Sequence, residues 1–194
     1  MKSKLRPVAL LGRAMRSLLF RGPLCTSFEI TRRCNARCRH CHLGVPVKDE
    51  KQASPERFGE ICREIKPVAI LVSGGEPLLR KDVEEVVAAL ADPAGPPYVA
   101  MTTNGWLLDK ERYYRFRELG VDRFSISLDF PDERHDGFRR HPGLFARLAR
   151  LLPELAAQGN DDVVLNTASF SDEQVCELIM AAARGKPASE GVGL

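Results

Sequence analysis

Short apolar runs rich in β-branched residues alternate along this chain with longer segments whose apolar positions recur every three or four residues. The runs Ser27–Thr31, Ala69–Ser73, Tyr98–Thr102, Arg123–Leu128 and Val163–Thr167 read as strands. Ser54-Pro55 has the form of an N-cap and first helical residue, followed by Phe58, Ile61 and Ile65 on one helical face. Arg80 to Leu90 repeats valine and leucine on one face, and Lys110 to Leu119 is closed by Gly120, a natural helix stop. Leu144 to Ala157 is helical in pattern but contains Pro153, which is expected to kink or divide it. Ser171-Asp172-Glu173-Gln174 forms a capping box ahead of Val175, Leu178 and Ile179.

Five strand-then-helix units in series imply an α/β fold with a parallel sheet, right-handed crossovers and outer helices. The strands are apolar at most positions, as expected where both faces are covered. With 194 residues the chain is long enough for one domain with its own core. The expected division is a basic helical extension over residues 1–24, a core over 25–184 and a flexible polar, Gly-rich tail over 185–194.

Charge is uneven. Lys2, Lys4, Arg6, Arg13, Arg16 and Arg21 stand in the first 21 residues with no acid, and the formal +3 of the whole leaves −3 for the remainder. A mildly acidic body gives no sign of nucleic-acid binding. Within residues 7–20, Val8, Leu11, Met15, Leu18 and Leu19 make an apolar stripe beside Arg13 and Arg16. Such a basic amphipathic helix lies on an anionic membrane or binds a partner. The simpler reading, and the preferred one, is a helix packed across one end of the domain with its charges in solvent. No apolar run reaches the length of a membrane span and no secretory signal is visible, so cytoplasmic residence is the default expectation.

Six cysteines stand at 25, 34, 38, 41, 62 and 176. Cys25, Cys62 and Cys176 lie in strand or helix contexts and read as buried small hydrophobes. Cys34, Cys38 and Cys41 form a C-x3-C-x2-C run, three thiolates close enough to converge on one soft metal centre. With His40 or His42 they could close a tetrahedral zinc site. A four-iron cubane normally takes four cysteines, so three local ones leave one iron open to a small molecule. The other unusual residues follow the remaining strands: Ser73-Gly74-Gly75-Glu76-Pro77, Thr102-Thr103-Asn104-Gly105, Ser127-Leu128-Asp129 and Asn166-Thr167. In α/β folds ligands bind at the carboxyl ends of strands, so five polar strand ends converge on one face.

The cysteine spacing ahead of Gly-Gly-Glu-Pro resembles the radical S-adenosylmethionine (radical SAM) superfamily over about residues 25–183. The segment from Ser125 to Arg139 looks most like the branch of peptide maturases, sulfatase-maturating enzymes and the molybdenum-cofactor cyclase. The resemblance implies a partial TIM-type (β/α) barrel, with five recognisable βα units of the usual six. It implies that Cys34, Cys38 and Cys41 bind three irons of a 4Fe–4S cluster and that S-adenosyl-L-methionine (SAM) chelates the fourth. It further implies that Gly74, Gly75 and Glu76 receive the SAM amino group, that His40 lies beside the adenine, and that Ser127 and Arg139 contact ribose and carboxylate. Asn166 would complete the SAM site, and Thr103–Gly105 with Asp129 would border the substrate cavity.

The activity so implied is reductive cleavage of SAM to a 5′-deoxyadenosyl radical that takes hydrogen from a substrate, a peptide or a small molecule. Reduced ferredoxin or flavodoxin is the electron donor expected. The alternative is a non-catalytic iron–sulfur or zinc-binding module derived from a truncated barrel. Two departures from the family stand out: Phe130 and Arg140 occupy positions where glycine is frequent. No sixth strand and no C-terminal cysteine cluster follow, so a truncated chain with its fifth strand as an exposed edge is expected.

Overall fold

The computed structural model describes residues 6–43, 50–92, 95–156 and 163–166. Five strands, β1 (Cys25–Glu29), β2 (Ala69–Ser73), β3 (Tyr98–Thr103), β4 (Arg123–Ser127) and β5 (Val163–Asn166), form one sheet in sequence order. Each pairs in parallel with the next, Phe28 opposite Val72, Ile70 opposite Val99, Met101 opposite Phe124 and Ile126 opposite Leu165. A parallel neighbour requires a long return path. That path is supplied by α2 (Pro55–Ile65), α3 (Val83–Leu90), α4 (Lys110–Leu119) and α6 (Leu144–Ala156), with a short α5 (Arg134–Arg139) ahead of α6. α2 packs on α3, α3 on α4 and α4 on α6, so these helices form a layer in chain order. Sequential strands under such a layer make a partial barrel.

The local signals act as expected at most ends. Ser54 Oγ accepts from the Arg57 N–H at the start of α2, and Asp109 does the same for Arg112 in α4. Gly120 takes the left-handed conformation that stops α4. Pro153 does not divide α6, which runs through it to Ala156. The proline lies one turn from the end, and Leu144, Leu148, Leu151 and Leu155 are buried along the inner face, holding the helix to the core. β1 starts at Cys25, two residues earlier than its pattern suggests, and Thr31 has already left the sheet. Cys25 is exposed there rather than buried, because it opens an outer strand; Cys62 is buried, its thiol facing the Leu90 carbonyl. Cys176, the capping box at 171–174 and the tail lie outside the described residues.

Both faces of the sheet were expected to be apolar, and they differ. Ile70, Val72, Val99, Met101, Phe124 and Ile126 form a fully buried row in the core cluster with Val86, Leu90 and Phe116. The opposite row, Leu71, Ser73, Ala100, Thr102 and Ser125, is half-buried and mostly small or polar. Small side chains on the concave face leave the space in which the candidate site lies.

The opposite end of the sheet is held by α1 (Arg6–Phe20). Arg6, 5% exposed, pairs with the buried Asp122 and donates to the Gly95 and Pro97 carbonyls. Asp122 also accepts from the Val99 N–H, so one carboxylate ties α1 to the entries of β3 and β4. α1 therefore lies across one end, but with its polarity reversed from expectation. A guanidinium faces inward, while Val8, Leu11, Met15, Leu18 and Leu19 face solvent. The ion pair and two carbonyl bonds available to Arg6 decide which side is inside.

Removing one partner of a buried pair leaves the other charge uncompensated. Arg6→Ala should lower stability by about 3 kcal/mol in urea unfolding, whereas Arg16→Ala on the exposed side should change it by less than about 0.5 kcal/mol. Equal effects from the two variants would contradict this packing of α1.

Candidate functional site

Thr31 opens the loop that carries the three cysteines. Its hydroxyl donates to Glu50, which also accepts from the Arg32 N–H and the Gln52 amide. Arg80, 4% exposed, donates to the Ile30 and Ala53 carbonyls at 2.7 Å each and pairs with Asp82, pinning the end of β1 from beneath. Across the sheet, the Gly75 N–H donates to Thr31 O (2.8 Å) and the Glu76 N–H to Arg33 O (2.7 Å). A Cβ on Gly74, whose φ is +133°, would lie 2.2 Å from Thr31 O, and one on Gly75 would lie 2.2 Å from Arg33 O. Glycine is required at both positions because the cysteine loop's backbone occupies the space.

Glu76 turns away from this surface. It is fully buried and accepts from Thr103 Oγ1 (2.7 Å), the Asn104 N–H (2.8 Å) and the Leu78 N–H (3.2 Å). Burial pushes its carboxyl upward from the ordinary range, and the three donors oppose that by favouring the ionised form. Glu76 thus shapes the turn after β3. In that turn Asn104 Nδ2 reaches Asn35 Oδ1 in the cysteine loop at 2.7 Å.

The far side of the loop is stitched to α5. The Arg37 and Arg39 N–H groups donate to the carbonyls of Arg139 and Phe138 at 3.0 Å each. His40 stacks on Phe138, centroids 5.0 Å apart and 19° from parallel. Arg139, 9% exposed, pairs with Asp129 and points a guanidinium N–H at Cys38 Sγ, 3.6 Å away. Arg140 ends α5 at φ 50°, a left-handed position that explains why glycine suits it. Phe130 packs edge-on against Phe138 and under the Arg134 guanidinium.

His135 supports this arrangement from inside. It is fully buried, accepts the Asp129 N–H at Nδ1 (3.2 Å), and its Nε2 has no partner among the described residues. Burial, then the Arg139 charge, lower its pKa from 6.5 to about 4 against the opposing pull of Asp129 and Asp136. Asp136 accepts the Gly143 and Phe145 N–H groups, capping the start of α6.

Together these elements line a cavity at the carboxyl ends of the strands. Its walls carry Cys34, Cys38 and Cys41, with His40, Ser73, Gly74 and Gly75, Thr102–Asn104, Ser127 and Arg139. It is open on one side, with about 600 Å³ of empty space counting what is open to solvent. All three cysteines of the loop line this cavity. Among the described residues no three Cys, His, Asp or Glu side chains are gathered as a ready site for a single metal ion. Burial raises the Cys34 and Cys38 pKa values, the Ala36 N–H and the Arg139 guanidinium respectively pull them down, and the neighbouring thiols push them up again. The N–H groups of Ala36 and Leu43 point at Cys34 and Cys41 Sγ, both at 3.4 Å. With Arg139 on Cys38, each sulfur faces a donor, an environment that suits thiolates bound to a cationic centre and fits the donor set of an iron–sulfur cluster.

Of the residues singled out from sequence, Cys34, Cys38, Cys41, His40, Gly74, Gly75, Ser127 and Arg139 meet at this cavity, and Glu76 lies behind it. Asn166 is in register with Ser127 at the ends of β5 and β4. Trp106 is 36% exposed and tilts against His141, 4.3 Å between centroids. Asn35, Glu50 and Phe138 had gone unassigned. Asn35 and Phe138 sit inside the recognised segments and could have been found there. Glu50 had no sequence signal, since an exposed glutamate in a polar stretch is ordinary.

Two expectations follow. Glu76→Gln puts an NH2 against groups that are themselves donors. It should cost about 2 kcal/mol in urea unfolding and accelerate hydrogen exchange at the Asn104 amide. The second concerns pH. The unfolded His135 protonates below 6.5, whereas the folded one resists until about 4. Stability is therefore retained above pH 6.5 and lost as pH falls from 6.5 towards 4, by about 3 kcal/mol at most. Comparing urea unfolding at pH 7 and 4.5 for wild type and His135→Gln checks this: the variant should lose much of the pH dependence.

The Radical SAM superfamily profile matches residues 28–184. The AdoMet-dependent heme synthase of Nitratidesulfovibrio vulgaris is 33% identical over 173 residues, 81% of this chain and 46% of the relative. The probable GTP 3′,8-cyclase of Archaeoglobus fulgidus is 38% identical over 106 residues, 53% of this chain and 34% of the relative. The chain thus spans between a third and a half of the length of these curated relatives. Among solved structures, Streptococcus suis SuiB bound to its precursor peptide SuiA superposes with a TM-score of 0.65 at 19% identity, covering 88% of this chain and 39% of SuiB. BtrN in complex with AdoMet and 2-DOIA gives 0.57 at 22% identity, covering 76% and 57%. Matched from β1 through the fifth unit, with its cysteines and glycine turn gathered at the strand ends, the chain belongs to the radical SAM superfamily.

Proposed function

We propose that this chain forms the cofactor-binding part of a SAM-dependent radical enzyme, with Cys34, Cys38 and Cys41 as the protein ligands of a 4Fe–4S cluster. The observation that supports the reading is that these three cysteines line one cavity together with the glycine turn, Ser127 and Arg139. Bound there, the cluster would supply the electron that splits the SAM sulfonium bond and yields a carbon-centred radical.

The chain's own residues have distinct tasks. The Gly75 and Glu76 N–H groups are already engaged by the loop, so an incoming ammonium group meets carbonyl oxygens at this turn. Arg139 is the cation on the wall. Its guanidinium is suited to a carboxylate and, through Cys38 Sγ, to raising the potential of whatever that sulfur binds. Ser127 offers a hydroxyl to a ribose, and the His40–Phe138 stack offers a flat edge to an adenine. Asn166 extends the same row from β5. Thr103–Gly105, Asp129 and Trp106 are proposed to border the substrate, Thr103 and Asn104 from within the same cavity lining.

Reduced ferredoxin or flavodoxin is proposed as the electron source. For substrate, a small organic molecule has the support of the heme-synthase and cyclase relatives, and a peptide has only the likeness of fold to SuiB.

Anaerobic reconstitution with iron and sulfide should give a cluster whose paramagnetic resonance signal, after dithionite reduction, changes on adding SAM, with 5′-deoxyadenosine released. Cys38→Ala should lose the cluster. Arg139→Gln should retain iron but bind SAM about tenfold more weakly, as expected for a lost charge-assisted bond. A cluster that neither responds to SAM nor yields 5′-deoxyadenosine would mark a non-catalytic module, and stoichiometric zinc in place of iron would overturn the cluster assignment.

A further inference from the structure

The outward face of α1 has no counterpart in the chemistry at the other end of the sheet. At 100° per residue, Val8, Leu11, Met15, Leu18 and Leu19 fall within an arc of about 100°, opposite Arg6 and Ser17, which are buried. All five are more than half exposed, from 52% at Met15 to 73% at Leu19. An amphipathic helix ordinarily turns its apolar side to the core. Here the inner side is fixed by Arg6 on Asp122 and by Arg13 on the Pro67 carbonyl, so the apolar side is held outward by the fold itself.

The occupant of this face can be read from its charge. Arg16 flanks the stripe and Arg21 follows its last turn, both exposed. Six cations precede the first acid of the chain, Glu29. Two copies meeting through this face would bring two such cationic segments together, which opposes self-association. An anionic lipid surface satisfies both features at once: acyl chains cover the stripe and headgroups pair with the arginines. With 15 residues, α1 is about 22 Å long, and no described helix is long and apolar enough to cross a membrane. The helix would lie in the interface rather than span it.

We propose that α1 docks this protein on anionic lipid, with Val8, Leu11, Met15, Leu18 and Leu19 inserted at the headgroup boundary. Arg6, Arg13 and the Leu24 carbonyl bond to the residues that lead into β2, β3 and β4. The docked face is therefore at the amino ends of the strands, and the cysteine cavity, at their carboxyl ends, faces the aqueous side. Substrate and electron donor would arrive from water.

Co-sedimentation of the full chain with phosphatidylcholine vesicles, with and without phosphatidylglycerol, tests this. Binding is expected only to the vesicles containing phosphatidylglycerol, and it should weaken several-fold in high salt. Leu11→Glu/Leu18→Glu should reduce it at least about tenfold, and Arg16→Glu several-fold, with circular dichroism unchanged because these side chains are exposed. If the double variant does not fold, Met15→Glu alone makes the same test. The proposal is overturned if the chain binds neither vesicle, or if the face variants bind as well as wild type. It is equally overturned if a dimer or a complex with another protein, rather than vesicle binding, is what these variants abolish.

Discussion

The approach of two backbones, Thr31–Arg33 and Gly74–Gly75, sets the geometry of everything at the carboxyl end of the sheet. Parallel pairing of β1 and β2 delivers the two segments side by side, and carbonyl oxygens of the first then occupy the space where side chains of the second would begin. The two N–H bonds from Gly75 and Glu76 hold the contact. A loop leaving a strand is ordinarily free to fan outward; this one is laid back across the neighbouring strand's tip. That bend brings Cys34, Cys38 and Cys41 into the lining of the cavity, Cys38 buried and Cys41 still exposed.

One anchor would leave the loop hinged, and the second comes from α5. Backbone bonds from Arg37 and Arg39, together with the His40–Phe138 stack, fasten the loop's far side. α5 is itself held to the segment after β4 by two of its own residues: Arg139 pairs with the Asp129 carboxylate, and His135 accepts the Asp129 N–H. Burying a neutral imidazole with one nitrogen unpartnered is unfavourable, and the arrangement persists because its other nitrogen fixes the Asp129 backbone. Asp129 in turn aims the guanidinium whose second N–H reaches Cys38. The strain is local, and what it secures is the direction of a charge. Glu76 performs the same office from the opposite side, through Asn104 to Asn35.

Much of this was legible beforehand, for physical reasons that differ by element. Periodicity located the strands and helices because buried faces must repeat with the backbone, and caps such as Ser54 and Gly120 act within a few residues of themselves. The cysteine and glycine motifs were legible because their chemistry tolerates few substitutes. Glu76 was legible as a position but not as an orientation: only the fold reveals that its carboxylate faces the Thr103–Asn104 turn. Pro153 misled because a helix penalty of about 3 kcal/mol counts for less near an end and against four buried leucines. Glu50 and Arg80 were opaque, since what ties them to the cysteine loop includes the Arg32 N–H and the Ile30 carbonyl, backbone groups that no side-chain pattern encodes.

The polarity of α1 belongs to the same class. A helical wheel gives the apolar arc but not which way it points, and the natural assumption is inward. Asp122 reverses it. A carboxylate that is 1% exposed at the entry to β4 demands a cation, and Arg6 reaches it from α1, so the helix presents its arginine side to the sheet. Burial of one ion pair thereby outweighs burial of five apolar side chains that could have turned inward. The exchange is intelligible if those side chains find an apolar medium elsewhere, because the area they then remove from water is not lost to the fold but transferred to a second phase. On that view the sheet carries its chemistry at one end and its address at the other, each fixed by a buried charge that the strands bring into position.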